Sequence, residues 1–229
     1  VTGSHVLSSS AVATTPAGAH PIVVEQGTLA AANYQFEMKN GVLTIGKAKL
    51  TVRADNKDKI YGDANPAFTA TISGFMNGEV LSNSGVTGEA FMTTPATALS
   101  GVGFYDINAA EGSLVSNNYA FEYEKGTLVV RKATLVVFAE DKNKRYGDAN
   151  PALTYVFNGF KNGENLAASG VIGEPVINTM ATTASNVGEY PITLQAGTLA
   201  ASNYQFELKN ATLIVGKKTL VITADNKSK

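Results

Sequence analysis

Residues 50–73 read LTVRADNKDKIYGDANPAFTATIS, and this stretch decides how the rest of the chain is read. Leu50 to Ala54 roughly alternates apolar and polar side chains and is rich in β-formers, the two-residue period of a half-buried strand. Tyr61-Gly62-Asp63-Ala64-Asn65-Pro66 then interrupts the pattern. Gly62 takes positive φ without penalty, Asp63 is able to bond its own backbone, and Pro66 forces Asn65 out of the α region, so a turn is expected here. FTATIS at 68–73 resumes as a strand. GFMNGE at 74–79 is a loop with two glycines, leading into one short helical turn through Glu79, Val80 and Leu81.

The run YGDANPA begins at Tyr61 and again at Tyr146, an interval of 85 residues. The same interval separates NYQFEMKN at Asn33, NYAFEYEK at Asn118 and NYQFELKN at Asn203. It also separates ADNKDK at Ala54, AEDKNK at Ala139 and ADNKSK at Ala224, so the register holds without insertion or deletion. A fixed period of this kind identifies a tandem repeat. The expected division is a C-terminal part of a repeat at 1–46, complete repeat domains at 47–131 and 132–216, and the first strand of a further repeat at 217–229. Within a copy, GEAFMTT, VGFYDIN, NYAFEYE and GTLVVR continue as strands punctuated by Ser, Asn and Gly. Long helical periodicity is absent, so the fold class is mainly β.

The junction GTLVVRKATLVVFAE at 126–140 sets only Arg131 and Lys132 between two apolar runs. A glycine-serine linker behaves as a coil, whereas a strand passing almost directly into the next strand restricts hinging. The expected array is an elongated, stiff rod of domains. Each domain has about 85 residues, enough to hold a core of its own, unlike the shorter solenoid repeats.

Composition removes several function classes. Eighteen Lys and Arg against nineteen Asp and Glu give a net charge of −1, without the basic excess that phosphate neutralisation on nucleic acid requires. No cysteine is present, which excludes disulfides, thiolate catalysis and cysteine-bound metal centres. No apolar run approaches the roughly 18–20 residues of a membrane span, and residues 1–20 show no basic region followed by an apolar stretch, so no signal peptide is read there.

The strand type KAxLxVxAxxKxKxYGDANPA, the GFxNGE turn and the closing VGxYxI, GTL, NYxFE and TLxV series together resemble the MBG-type repeat in its YG-x variant. That family occurs in long bacterial surface and adhesin-like proteins. The resemblance covers essentially the whole chain. It implies β-grasp-like modules, display outside the cell, and no catalytic residues to carry over.

Residues that carry chemistry elsewhere have simpler roles here. His5 and His20 fall in the incomplete first copy, and their counterparts are Ala90 and Pro175, and Tyr105 and Tyr190; a structural role is expected for both. The recurring acids are Asp63 and Asp148, Glu79 and Glu164, Glu89 and Glu174, and Glu37, Glu122 and Glu207. Paired carboxylates with separated pKa values do acid and base work, but recurrence in every copy is explained by folding every copy alike. Asp55, Asn56, Asp58 and Asp63 form an oxygen-rich cluster of the kind calcium uses. Their spacing matches no EF-hand loop, and Asp58 becomes Asn143 and Ser228, so a turn flanked by Lys57 and Lys59 as a solvated edge is expected instead. An intramolecular Lys–Asn isopeptide bond would suit a force-bearing chain without cysteine, but sequence alone pairs no lysine with an asparagine. Tyr34, Tyr119 and Tyr204 follow an asparagine in each copy and are expected in the core, with Tyr34 and Phe36 on one face. No catalytic, metal or cofactor site is assigned.

The leading functional expectation is a non-enzymatic stalk or spacer in a large extracellular bacterial adhesin or surface fibre. Its partners are neighbouring repeats of the same chain and other copies in a fibre, with no nucleic acid and no membrane insertion. One alternative is a repeated module for a glycan or host-surface protein, with avidity from repetition. Another is a subunit of an extracellular filament whose partial end copies are completed by strand addition from neighbouring chains.

Overall fold

A computed structural model describes all residues 1–229 and contains strands and turns but no helix. It divides into two compact units, Val1–Lys57 with Ala67–Pro95 and Tyr105–Leu128, and Asp58–Pro66 with Ala96–Phe104 and Val129–Lys229. The division does not follow the 85-residue period. The Tyr61 turn, which by sequence belongs to the copy at 47–131, is grouped with residues 129–229.

In the first unit β1 (Val6–Ser8), β2 (Gly18–Glu25) and β3 (Gly41–Ile45) form an antiparallel sheet in that order. After Gly46 and Lys47 the chain enters β4 (Ala48–Ala54); β5 (Lys57–Ile60) and β6 (Ala70–Ser73) follow. β4 is the centre of a second sheet, antiparallel to β6 and parallel to β9 (Tyr119–Glu124). β7 (Phe91–Thr93) pairs antiparallel with the end of β8 (Gly103–Ala110). Leu50, Val52 and Ala54 are buried along β4 with polar residues between, as alternation predicts. They pack in a core with Val86, Leu114 and Tyr119, closed by Phe75 and Phe121.

β10 (Gly126–Arg131) is followed, after Lys132 alone, by β11 (Ala133–Ala139). In the second unit β11 lies between β13 (Tyr155–Asn158), antiparallel, and β16 (Tyr204–Lys209), parallel. The other sheet runs β12-β17-β15-β14, with β12 (Lys142–Arg145) parallel to β17 (Ala211–Gly216) and β15 (Gly188–Gln195) antiparallel to both β17 and β14 (Val176–Thr179). Ala133, Leu135 and Val137 are buried along β11. Ala181, Ile192 and Leu213 are buried against the other sheet.

Four expectations are corrected. The helical turn at 79–81 is a hydrogen-bonded turn one step later, closed by Asn83 N donating to Val80 O at 3.0 Å, and no helix lies across any sheet. Tyr34 is exposed and outside any strand, because its counterparts Tyr119 and Tyr204 are held by pairing with β4 and β11, and no such strand precedes it in this sequence. Residues 217–229 form no strand, and Leu220, Val221 and Ile222 are exposed. Their counterparts β4 and β11 pair only with later strands of their own copies, which this sequence does not contain after 229.

The fourth correction concerns Lys59, expected on a solvated edge. It is buried, as is Lys144, and each lies on a short strand that sequence reasoning took for turn. Lys59 Nζ donates to Thr97 O at 2.6 Å and Asp63 O at 3.0 Å; Lys144 Nζ donates to Thr182 O at 2.6 Å and Asp148 O at 3.1 Å. Burial pushes the Lys59 ammonium below the ordinary lysine range, against the opposing pull of Asp63. Each lysine thus pins the Tyr-Gly-Asp turn to a distant loop. A Lys59→Met chain keeps the apolar stem but leaves two carbonyls without their charged donor, at a cost of about 1.5–3 kcal/mol. Chemical denaturation measures this, and a loss below about 0.5 kcal/mol would contradict the pinning role.

Candidate functional site

The most elaborate constellation in the chain is a tyrosine set into a socket. The Tyr61 turn begins where Tyr61 N donates to Arg131 O at 2.8 Å and closes with Asp63 N donating to Ile60 O at 3.0 Å. Gly62 sits in it at φ +85°, as its sequence position predicts. Asn65 Nδ2 ties the following residues to Ala96 O at 2.7 Å. So held, the Tyr61 ring is only 5% exposed.

The socket is built by residues of the next copy. Asn162 takes a left-handed φ of +54°, which turns the 159–164 loop so that Glu164 faces inward. Its carboxylate accepts hydrogen bonds from both tyrosine hydroxyls, Tyr61 on Oε1 and Tyr204 on Oε2, the latter at 2.6 Å. Lys161 N donates to the Tyr204 hydroxyl at 2.9 Å, so that oxygen is both donor and acceptor. The Tyr61 and Tyr204 rings meet edge to face at 5.6 Å, a favoured aromatic geometry. Asn203 Oδ1 accepts from Val102 N at 3.0 Å beside them. Asp63 does not bond its own backbone as expected; it pairs with Lys161 Nζ at 3.0 Å, and Gly62 lies against the Lys161 stem.

Both phenols resist ionisation. Burial first, then the Glu164 carboxylate, pushes Tyr204 up to about 12. Tyr61 is raised by Glu164 first and burial second. Unfolded tyrosine ionises near 10, so between about 10 and 12 the unfolded chain has released protons that the folded chain keeps. Stability from these groups is whole below pH of about 10 and is lost as pH rises through the folded values. The expected result is a urea midpoint that falls steadily above pH of about 10, with a shallower fall in Tyr204→Phe. Equal slopes in the two chains would contradict this.

The other residues singled out by sequence are dispersed. Asp55 accepts from Thr69 and Thr71, which hold its carboxyl below the usual range; Asn56 Oδ1 accepts from Thr127 N at 2.8 Å. Asp58 pairs with Arg131 at 3.2 Å. The four oxygen-bearing residues of the calcium reading therefore each have a separate partner. Asp148 pairs with Lys218, Glu122 with Lys49, Glu207 with Lys209 and Glu37 with Lys39, all on exposed surface. Glu89 and Glu174 offer backbone carbonyls to Ser113 N and Thr198 N. His20 Nε2 lies 2.9 Å from Pro16 O, the place where Tyr190 Oη donates to Asn186 O, so it fills a tyrosine position; His5 is exposed. Tyr119 and Tyr204 are buried as expected.

The same Glu and Tyr that build the socket lie within both stretches that match the MBG domain model of YGX type, residues 50–129 and 135–214. The chain belongs to the MBG domain family. No curated protein matches the sequence. The MBG match makes the chain a tandem array of the repeat modules that surface proteins carry. Both matched stretches contain the Tyr-Gly turn, at Tyr61 and at Tyr146, together with its own Glu and Tyr pair, Glu79 with Tyr119 and Glu164 with Tyr204.

Proposed function

We propose that this MBG array is a non-catalytic stalk segment of a large extracellular bacterial surface protein, an adhesin or fibre, and that its copies are coupled into a stiff rod. The observation that carries this reading is Tyr61, a side chain of one copy buried among Glu164, Tyr204 and Asn162 of the next. A junction of one residue, Lys132, between β10 and β11 supports it, because the linker and the plugged tyrosine constrain the same joint at two points. Domain number then sets reach and the plugged joints set stiffness.

The glycan-module alternative asks for an aromatic platform shared by the copies. Phe91 and Phe104 are exposed, but their counterparts are Val6 and Val176, and Ala19 and Glu189. The stalk reading is tested on the producing cells. Antibody against residues 47–216 is expected to label intact cells, and the denatured parent polypeptide to run far above 23.9 kDa. Labelling that appears only after permeabilisation would overturn the surface assignment.

A further inference from the structure

A second socket of the same construction lies in the first unit, and no residue of the chain fills it. Tyr119 Oη donates to Glu79 Oε2 at 2.6 Å, as Tyr204 does to Glu164. Met76 N donates to Tyr119 Oη at 3.0 Å, where Lys161 N donates to Tyr204 at 2.9 Å. Asn77 has φ +55°, matching +54° at Asn162. Ala17 N donates to Asn118 Oδ1 at 3.1 Å, matching Val102 N and Asn203 at 3.0 Å. What differs is the space in front of Glu79. There a cavity of about 200 Å³ is bounded by Ala13, Ala17, Ile45, Met76, Glu79 and Tyr119, at the position that Tyr61 occupies in the other socket.

The chain also carries a plug with no socket. At Tyr146, N donates to Gly216 O at 2.8 Å, and Asp148 N donates to Arg145 O at 3.1 Å, the two bonds that shape the Tyr61 turn. Gly147 has φ +81° against +85° at Gly62, and Lys144 pins the turn as Lys59 does. Yet Tyr146 is 46% exposed where Tyr61 is 5%.

We infer that the cavity at Glu79 and Tyr119 is a docking site for the Tyr146-Gly147-Asp148 turn of a second copy of this chain, joining copies head to tail. The Tyr146 hydroxyl supplies Glu79 with the donor that Tyr61 supplies to Glu164, and its ring packs on Tyr119. Gly147 is needed for close approach to Met76, since Gly62 lies against the stem of Lys161, the counterpart of Met76. One element is missing: Met76 offers no ammonium to Asp148, which pairs instead with its own Lys218 at 3.2 Å. The intermolecular joint is therefore weaker than the one at Tyr61 and reversible. Recognition is by a turn entering a socket, distinct from strand addition at a sheet edge.

Sedimentation velocity over a concentration series tests this with three chains. The native chain is expected to self-associate reversibly into head-to-tail oligomers. Tyr146→Ala, which keeps the socket, and Ala13→Trp, which fills it from an exposed position, are each expected to remain monomeric, with association weakened about 30-fold or more. An equimolar mixture of the two joins the intact socket of one to the intact plug of the other and is expected to give a one-to-one dimer and nothing larger. A native chain that stays at 23.9 kDa throughout, or oligomers that persist in either variant, would overturn the inference. The inference rests on the coupling proposed above only for the form of the filled joint. Its failure would leave that joint, read by the internal variants below, untouched.

Discussion

Tyr61→Ala is expected to cost about 3–5 kcal/mol, the range for removing a large buried aromatic side chain. Three losses combine. The cavity is lined by Tyr204 and the 161–164 loop; the edge-to-face contact with Tyr204 disappears; and Glu164 loses one of its two phenolic donors. The same substitution at Tyr146 is a control with the same local sequence. Its ring is half-exposed, so its loss should cost about 1 kcal/mol or less. Denaturation in urea separates the two, and hydrogen exchange locates the effect: in Tyr61→Ala the amides of residues 159–164 should lose protection although the substitution lies about a hundred positions away in sequence. Tyr61→Phe isolates the hydroxyl. Combined with Glu164→Gln in a double-mutant cycle, it should show a coupling of about 1–2 kcal/mol. A coupling near zero would mean that the hydrogen bond contributes only shape.

Gly62→Ala is the second large effect. A β-carbon there would lie 2.5 Å from Lys161 Cβ and 2.8 Å from Cγ, distances that force the turn or the 159–164 loop to move. The left-handed backbone adds strain of about 1–2 kcal/mol for any L side chain. Gly147→Ala carries the same backbone strain but meets only the far end of Lys218 at 3.9 Å. Gly62→Ala should therefore be the more destabilising of the pair by about 1–3 kcal/mol, and the difference reads the packed joint alone. Equal costs would show that the turn conformation, rather than its seat in the next copy, is what the glycine serves.

Much of the strand layout is legible in the sequence. Leu50, Val52 and Ala54, and Leu135 and Val137, follow the two-residue period, and those positions are buried. The 85-residue interval and the missing linker at Lys132 are equally plain. β5 and β12 are not, because their inward position is Lys59 or Lys144 and the hydrophobic pattern fails where a lysine is satisfied by two carbonyls. The socket was hidden for another reason. Tyr61, Glu164 and Tyr204 each read as ordinary members of their own repeat, and no local rule says that a turn in one copy ends in the core of the next. One internal signal points to it: Glu79 and Glu164 recur in register with Tyr119 and Tyr204, a polar residue kept beside a buried phenol. Tyr34 shows the converse, since a core position by pattern is exposed where the strand it needs is absent.

The central claim is that copies 47–131 and 132–216 are coupled at the Tyr61 joint. Residual dipolar couplings of backbone amides in a weakly aligned sample measure this directly. The native chain is expected to fit a single alignment tensor across both copies, and Tyr61→Ala to require two. Two independent tensors in the native chain would contradict the coupling and remove the basis for a stiff stalk.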